Sequence, residues 1–290
     1  MRVAGNKVSQ VLEYYHNELD HLYGANEVDA LFKEAAEHFL KINRSVLNSK
    51  LADYLNQSDL LKIYDCAKEL AKGKPIQYIT GLSFFYGNSF IVNSSVLIPR
   101  PETEELVHKI IQDNKSAQSV LDIGTGSGCI PVTLKKNIAE AKIFACDVSV
   151  DALATAKKNA VLNSVEVNYF QANILNSIEF KAMFKDKVDI IVSNPPYINQ
   201  REISTMHKNV LEFEPHVALF VDGDDDIIFY KSIIDLCLNN LNNEGKLYFE
   251  LNDLTAKRVE EYAKKSDIFN SVELFKDMSG KWRFLKAVKK

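Results

Sequence analysis

The chain lacks paired cysteines, long apolar runs and any surplus of positive charge. Its four cysteines, Cys66, Cys129, Cys146 and Cys237, are scattered and never form a Cys-x-x-Cys spacing. That pattern offers neither a zinc site nor a disulfide framework, so they read as free thiols. No apolar stretch is long enough to span a bilayer. The segment from Met1 to Lys7 has no apolar core, which excludes a secretory signal there and points to the cytoplasm. The formal net charge is -4, so the chain has no general attraction to nucleic acid. Asp222-Gly223-Asp224-Asp225-Asp226 is a charged turn, but the twelfth position of a calcium loop falls on Ile233, which cannot ligate.

What remains is the composition of a soluble globular protein, 290 residues long and therefore larger than one average domain. The first eighty residues read as helices. Val8, Val11, Leu12, Tyr15, Leu19 and Leu22 recur at helical spacing up to Gly24. Asn26 is placed to cap a second helix with the apolar face Val28, Leu31, Phe32, Ala35 and Phe39. Ser58 is placed to cap another that runs to Gly73, and the segment between reads as a shorter helix. From Tyr78 to Pro99 aromatic and β-branched residues surround Gly81, Gly87 and Asn93-Ser94, which predicts a hairpin. The expected division is a helical domain over 1–77, a hairpin linker over 78–99 and a sheet domain over 100–290.

Beyond Ser119 strands and helices alternate. Strands are predicted at 119–123, 142–147, 165–170, 188–193 and 245–251, with helices near 130–138, 150–162 and 227–241. This is the βαβ pattern of a doubly wound parallel sheet. Ser271 to Phe275 and Trp282 to Ala287 read as a terminal hairpin, hence one antiparallel strand.

Two strand ends carry recognisable equipment. The first strand runs into Gly124-Thr125-Gly126-Ser127-Gly128, where alternate glycines let the backbone turn sharply against a ligand. Asp122 just before this loop would repel a pyrophosphate but could take a cationic amino group. Asp147 ends the second strand, where a carboxylate can accept both hydroxyls of a ribose. Asn194-Pro195-Pro196-Tyr197 follows the fourth strand. Two prolines stiffen that turn and remove two donors. It presents a side-chain amide, carbonyl oxygens and an aromatic ring, which suits a planar group bearing N–H donors, such as a carboxamide or an exocyclic amine. Any one of these features is an ordinary turn; their order, each after a strand, is what points to a site.

These motifs, together with Gly73-Lys74-Pro75-Ile76-Gln77-Tyr78-Ile79-Thr80-Gly81, Leu97-Ile98-Pro99-Arg100-Pro101-Glu102-Thr103-Glu104 and Phe213-Glu214-Pro215, resemble the HemK/PrmC family of release factor glutamine methyltransferases. The resemblance implies an α/β fold of the class I S-adenosylmethionine-dependent methyltransferases: Rossmann-like, mostly parallel, with an antiparallel terminal strand and a small helical bundle in front. It implies methyl transfer from S-adenosyl-L-methionine to the N5 amide nitrogen of a glutamine in the Gly-Gly-Gln loop of peptide chain release factors. Gly124, Thr125, Gly126, Ser127 and Gly128 would then pass under the methionine part of the cofactor, and Asp147 would hold the ribose. Asn173 falls where an acid often reads the adenine amino group, with Ile174 flanking the base. Asn194 and Pro195 would accept the two N–H bonds of the glutamine amide, with Tyr197 against its plane, and Pro196 and Arg100 would wall the pocket. No metal and no dedicated base are expected, His207 and His216 receive no role, and the expected state is a monomer.

Two neighbouring activities use the same turn. An adenine-N6 or guanine-N2 methyltransferase would present it to a flipped base. Against this, the region 1–80 has ten Lys/Arg and eleven Asp/Glu, not the basic face such enzymes need. A glutamine methyltransferase of a ribosomal protein stays open at this level. The Gly-x-Gly-x-Gly spacing disfavours a dinucleotide oxidoreductase, and the intact motifs disfavour a non-catalytic module.

Overall fold

The computed structural model describes residues 5–199, 202–203, 206–221 and 223–290. Asp222 of the charged turn and the first four residues of the N-terminal segment lie outside them. Along the chain come α1 (Val8–Tyr23), α2 (Ala25–Ala35), a π-turn (Ala36–Leu40), a 3₁₀ turn (Leu47–Lys50), α3 (Gln57–Ala71) and α4 (Ile76–Thr80). A hairpin of β1 (Leu82–Phe85) and β2 (Asn88–Ile91) follows, then α5 (Pro101–Asp113), β3 (Ser119–Ile123), α6 (Cys129–Asn137) and β4 (Lys142–Asp147). Next are α7 (Val150–Leu162), β5 (Asn168–Gln171), α8 (Ser177–Met183), β6 (Val188–Ser193), α9 (Lys208–Phe213) and α10 (His216–Leu219). The chain closes with α11 (Ile228–Asn240), β7 (Leu241–Glu250), α12 (Ala256–Lys265), β8 (Phe269–Lys276) and β9 (Trp282–Lys289).

Backbone contacts divide the chain into two units. One comprises the chain up to Gly81 together with Lys208–Phe213; the other comprises Leu82–His207 and Glu214–Lys290. The first unit has its own core, including Val8, Val11, Tyr15, Leu19, Phe32 and Ile63. Buried Tyr15 gives its hydroxyl proton to the Ile63 carbonyl at 2.8 Å, which joins α1 to α3 without leaving a polar atom unpaired. The expected caps move. α2 begins at Ala25, directly after Gly24, so Asn26 is inside the helix. α3 is capped by Asn56, whose side chain accepts from the Asp59 N–H at 3.0 Å, two residues before the expected Ser58. Leu22 and Leu61 lie on exposed faces. The hairpin is also shorter than 78–99, because Ile76–Thr80 coils into α4 first. Its two-residue turn places Tyr86 and Gly87 at positive φ, as tight hairpins require.

The second unit is built on a seven-stranded sheet in the order β5-β4-β3-β6-β7-β9-β8. β3 to β7 are parallel; β9 is antiparallel to both β7 and β8. Period-two alternation sends Leu121, Ile191, Leu247 and Phe249 to one face, and Val120, Ile190, Val192 and Tyr248 to the other. Each face is covered by helices, so the strands read as continuous apolar runs. Strand order reverses between β3 and β6, and the carboxyl ends of β3, β4 and β6 therefore open a crevice. Four helices escape sequence periodicity. α8 is only two turns, α9 and α10 are shorter still, and α12 carries its inner face on Ala256, Val259 and Ala263 amid charged neighbours. β5 starts at Asn168 rather than 165, and β7 starts at Leu241 rather than 245.

Candidate active site

A cavity opens at those strand ends. The space within it, its open mouth included, is about 1060 Å³. Gly124, Thr125, Gly126, Ser127, Asp147, Asn173, Ile174, Asn194, Pro195, Pro196 and Arg100 all line it. Sequence-distant residues thus converge because four strand ends and the segment before α5 face one crevice.

The glycine loop is held from below. The N–H groups of Gly124 and Thr125 both donate to the Cys146 carbonyl, at 2.9 and 3.0 Å. Gly124, Gly126 and Gly128 all have positive φ, a conformation side-chain-bearing residues rarely adopt. Gly128, expected to line the cavity, does not. A Cβ there would lie 3.0 Å from Ala156 Cβ, so this glycine permits close packing of α6 on α7. Buried Asn159 ties the loop to the hairpin. Its amide donates to the Ser127 and Ile91 carbonyls and accepts from the Ile91 N–H.

Two carboxyls sit at the ends of β3 and β4. Asp147 accepts from the Gly126 N–H and the Ser149 N–H, both at 2.9 Å, which fixes both of its oxygens while each keeps a free lone pair. Burial raises its pKa, against the pull of the Ser149, Gly126 and Val148 N–H groups. Asp122 is fully buried, and neither of its oxygens has a partner in hydrogen-bonding geometry; the Thr125 hydroxyl is likewise unpaired. Burial pushes the Asp122 carboxyl up to about 7, the nearby Thr125 hydroxyl pulls it down, and Asp147 beside it pushes it up again. An orphaned buried carboxyl is costly unless a ligand completes it.

Asn173 follows β5 and lines the cavity. Its side-chain oxygen accepts from the Leu175 N–H at 2.9 Å, closing an Asx turn. That bond takes one lone pair of the oxygen and leaves the other for an adenine amino group.

At the end of β6, Ser193 Oγ donates to the Ile123 carbonyl at 2.6 Å and locks the strand ends together. Asn194 Nδ2 faces Thr103 Oγ1 at 3.4 Å, which leaves Oδ1 as the acceptor on the other side of the amide. Tyr197, expected against a substrate amide, does not line the cavity. Its ring packs on the core beneath the sheet, its hydroxyl lies 3.5 Å from Glu250 Oε1, and its carbonyl accepts from Asn252. It anchors the turn from behind, and burial first, then the Glu250 carboxyl, raises its phenol pKa. Arg100 is also engaged: its guanidinium holds buried Glu214 at 2.5 Å, while Ile98 N–H reaches the other Glu214 oxygen at 3.4 Å. The pair clamps the Ile-Pro-Arg-Pro segment to the start of α10.

The comparisons with known proteins agree with this geometry. Residues 102–232 match the family model for the methyltransferase small domain. The chain is 44% identical to the release factor glutamine methyltransferase of Flavobacterium psychrophilum, over 92% of this chain and 93% of that one. The chain belongs to the release factor glutamine methyltransferase family. A second relative, from Bacteroides thetaiotaomicron and of the same name, is 36% identical over 97% of this chain and 99% of its own length. A solved methyltransferase from Pyrococcus furiosus is 19% identical, with a TM-score of 0.53 over 70% of this chain and 90% of that one. That likeness is of fold, the class I methyltransferase fold. Among the described residues, no helix is long and apolar enough to cross a membrane.

Two side chains of this family member were passed over in reading the sequence. Thr103 donates to Glu250 at 2.6 Å, and both are buried. Glu250 had a readable signal: a lone acid at the end of the apolar run Leu247-Tyr248-Phe249, as Asp147 ends its own strand.

Proposed function

We propose that this chain transfers a methyl group from S-adenosyl-L-methionine to the side-chain amide nitrogen of a glutamine in a peptide chain release factor. The observation that carries the reading is the acceptor pair at the end of β6. Asn194 and Pro195 line the same cavity as the glycine loop and Asp147, and they can offer Oδ1 and a backbone carbonyl. The family's printed activity supplies the substrate class.

The residues present suit the cofactor. Thr125 lines the cavity with an unpartnered hydroxyl, and fully buried Asp122 stands behind the glycine loop, where its charge would favour a cationic amino group. Asp147 keeps a lone pair on each oxygen for a diol. Ile174 supplies an apolar wall for a base. When bound, S-adenosylmethionine supplies a sulfonium methyl group, an activated electrophile.

The protein's task is positioning. An amide nitrogen is a poor nucleophile because its lone pair is delocalised into the carbonyl. Asn194 Oδ1 and the Pro195 carbonyl each accept one N–H of the glutamine amide and so point the remaining lone pair of nitrogen at the methyl. As that nitrogen gains positive character the two bonds strengthen, so they favour the transition state over the ground state. The nitrogen then loses its proton to water. Tyr197 keeps the turn in place from the core side, and Pro196 narrows the entrance.

The test incubates the enzyme with isotopically labelled S-adenosylmethionine and intact release factor, then locates the methyl by peptide mass spectrometry. The expected product is one methyl on a glutamine side chain, absent with Asn194→Ala. Label on nucleic acid in preference to the factor sinks the reading.

A further inference from the structure

Asn194 can serve an amide substrate in only one of its two amide orientations. With Nδ2 turned to Thr103, the cavity receives an acceptor; flipped, it receives two donors that oppose the donors of the substrate. Packing cannot choose, because oxygen and NH₂ are nearly the same size. Hydrogen-bond polarity can. The Thr103 hydroxyl has one proton, and that proton goes to Glu250 Oε2 at 2.6 Å. Only lone pairs of Thr103 Oγ1 are left to face Asn194, 3.4 Å away, and lone pairs accept only from Nδ2. An ionised carboxylate has no proton to return, so the chain Glu250–Thr103–Asn194 runs one way.

We propose that Glu250, acting through Thr103, is a positioning residue that fixes the amide orientation of Asn194 for methyl transfer. This rests on the reading of Asn194 as the holder of the substrate amide. The groups around Glu250 come from several elements. Thr103 and Glu102 come from α5, Arg283 from β9, Asn194 and Tyr197 from the turn after β6, Tyr230 from α11 and Cys129 from α6. Arg283 is shared, because it also holds Asp277 at 3.2 Å. Burial pushes the Glu250 carboxyl up to about 7; the Thr103 hydroxyl, Arg283 and the Asn194 amide itself pull it down, and Glu102 pushes it up. Once protonated, Glu250 can donate to Thr103, Thr103 can donate to Asn194, and Oδ1 turns away from the cavity. The polarity of the whole chain reverses with one proton.

The experiment uses full-length enzyme with intact release factor at saturating S-adenosylmethionine, so that Asp122 is not titrating in an empty site. Glu250→Gln, Thr103→Val and Thr103→Ser are compared with wild type, and S-adenosylhomocysteine is the calorimetric probe of the cofactor site. Glu250→Gln and Thr103→Val should each lower kcat about tenfold, the loss expected for one misdirected hydrogen bond, with KM and probe affinity within about twofold. The double variant should be no worse than either single one, since both break one chain. Thr103→Ser should recover most of the rate. The wild-type kcat/KM should fall below about pH 7, and this acid limb should vanish in Glu250→Gln. Unchanged kcat in both single variants, or an acid limb that survives Glu250→Gln, overturns the relay. So does a loss of probe affinity in step with rate, which would mark a structural role. Normal turnover in Asn194→Ala overturns the reading beneath it instead.

Discussion

Asp122 and Asp147 end adjacent parallel strands, yet one carboxyl has no hydrogen-bond partner while the other accepts two backbone N–H groups. The difference follows from the glycine loop. Its Gly126 N–H turns toward Asp147, and Asp122 is left fully buried without a partner. Asp122 is therefore where binding and stability conflict. The unfolded chain ionises this carboxyl near 3.8 and the folded one near 7. Between those values the folded state holds the extra proton, so stability is fully present below 3.8 and falls as pH rises through 7.

The first expectation is that Asp122→Asn stabilises the cofactor-free enzyme at neutral pH while weakening the cofactor. A shift of this size corresponds to an upper bound on the order of 4 kcal/mol, so a melting-temperature gain of about 5 °C at pH 8 is expected. The two proteins should converge near pH 4. Differential scanning calorimetry across that range checks the window, and calorimetric titration with S-adenosylhomocysteine checks the affinity. A variant that is less stable at pH 8 would show that Asp122 is satisfied in the free enzyme.

Asn173 carries a second expectation. Its Oδ1 closes the turn onto Leu175, so one lone pair of a neutral oxygen is left for an adenine amino group. Asn173→Asp keeps the turn on one oxygen and offers the other to the base. Affinity for S-adenosylhomocysteine should improve about fivefold, the value of a charged acceptor in place of a neutral one. Inosine-containing cofactor, which lacks that amino group, should gain nothing. Equal gains for both would assign the effect to net charge.

Much of this site was legible beforehand because it depends on local chemistry. Strand ends, the glycine loop, Asp147 and the Asn-Pro-Pro-Tyr turn announce themselves within a few residues. The sheet was legible for the same reason: strands buried on both faces are unbroken apolar runs. What escaped depends on contacts across long separations. Thr103 and Glu250 are 147 residues apart and meet only because α5 packs across the end of β7. Tyr197 reads as a substrate platform in a tetrapeptide, but the two prolines before it send its ring into the core. The caps of α2 and α3 were misplaced because several polar residues cluster at each start, and only the backbone decides which one folds over. α12 stayed hidden because alanines carry its inner face.

The helical unit supplies the last expectation, which concerns substrate docking. It has its own hydrophobic core and includes Lys208–Phe213. We propose that it grips the release factor away from the reacting glutamine. Binding energy from a remote contact should then appear with the whole factor and not with a fragment. Two substrates separate the cases: the intact factor, and a short peptide spanning its glutamine loop. A truncated enzyme that begins at Leu82 should bind S-adenosylhomocysteine within about threefold of wild type, which serves as the check that the sheet unit folds. Its kcat/KM should fall by about tenfold or more on the intact factor and stay nearly unchanged on the peptide. Equal losses on both substrates would mean that the helical unit supports the active site itself. No loss on the intact factor would mean that the docking surface lies in the sheet unit.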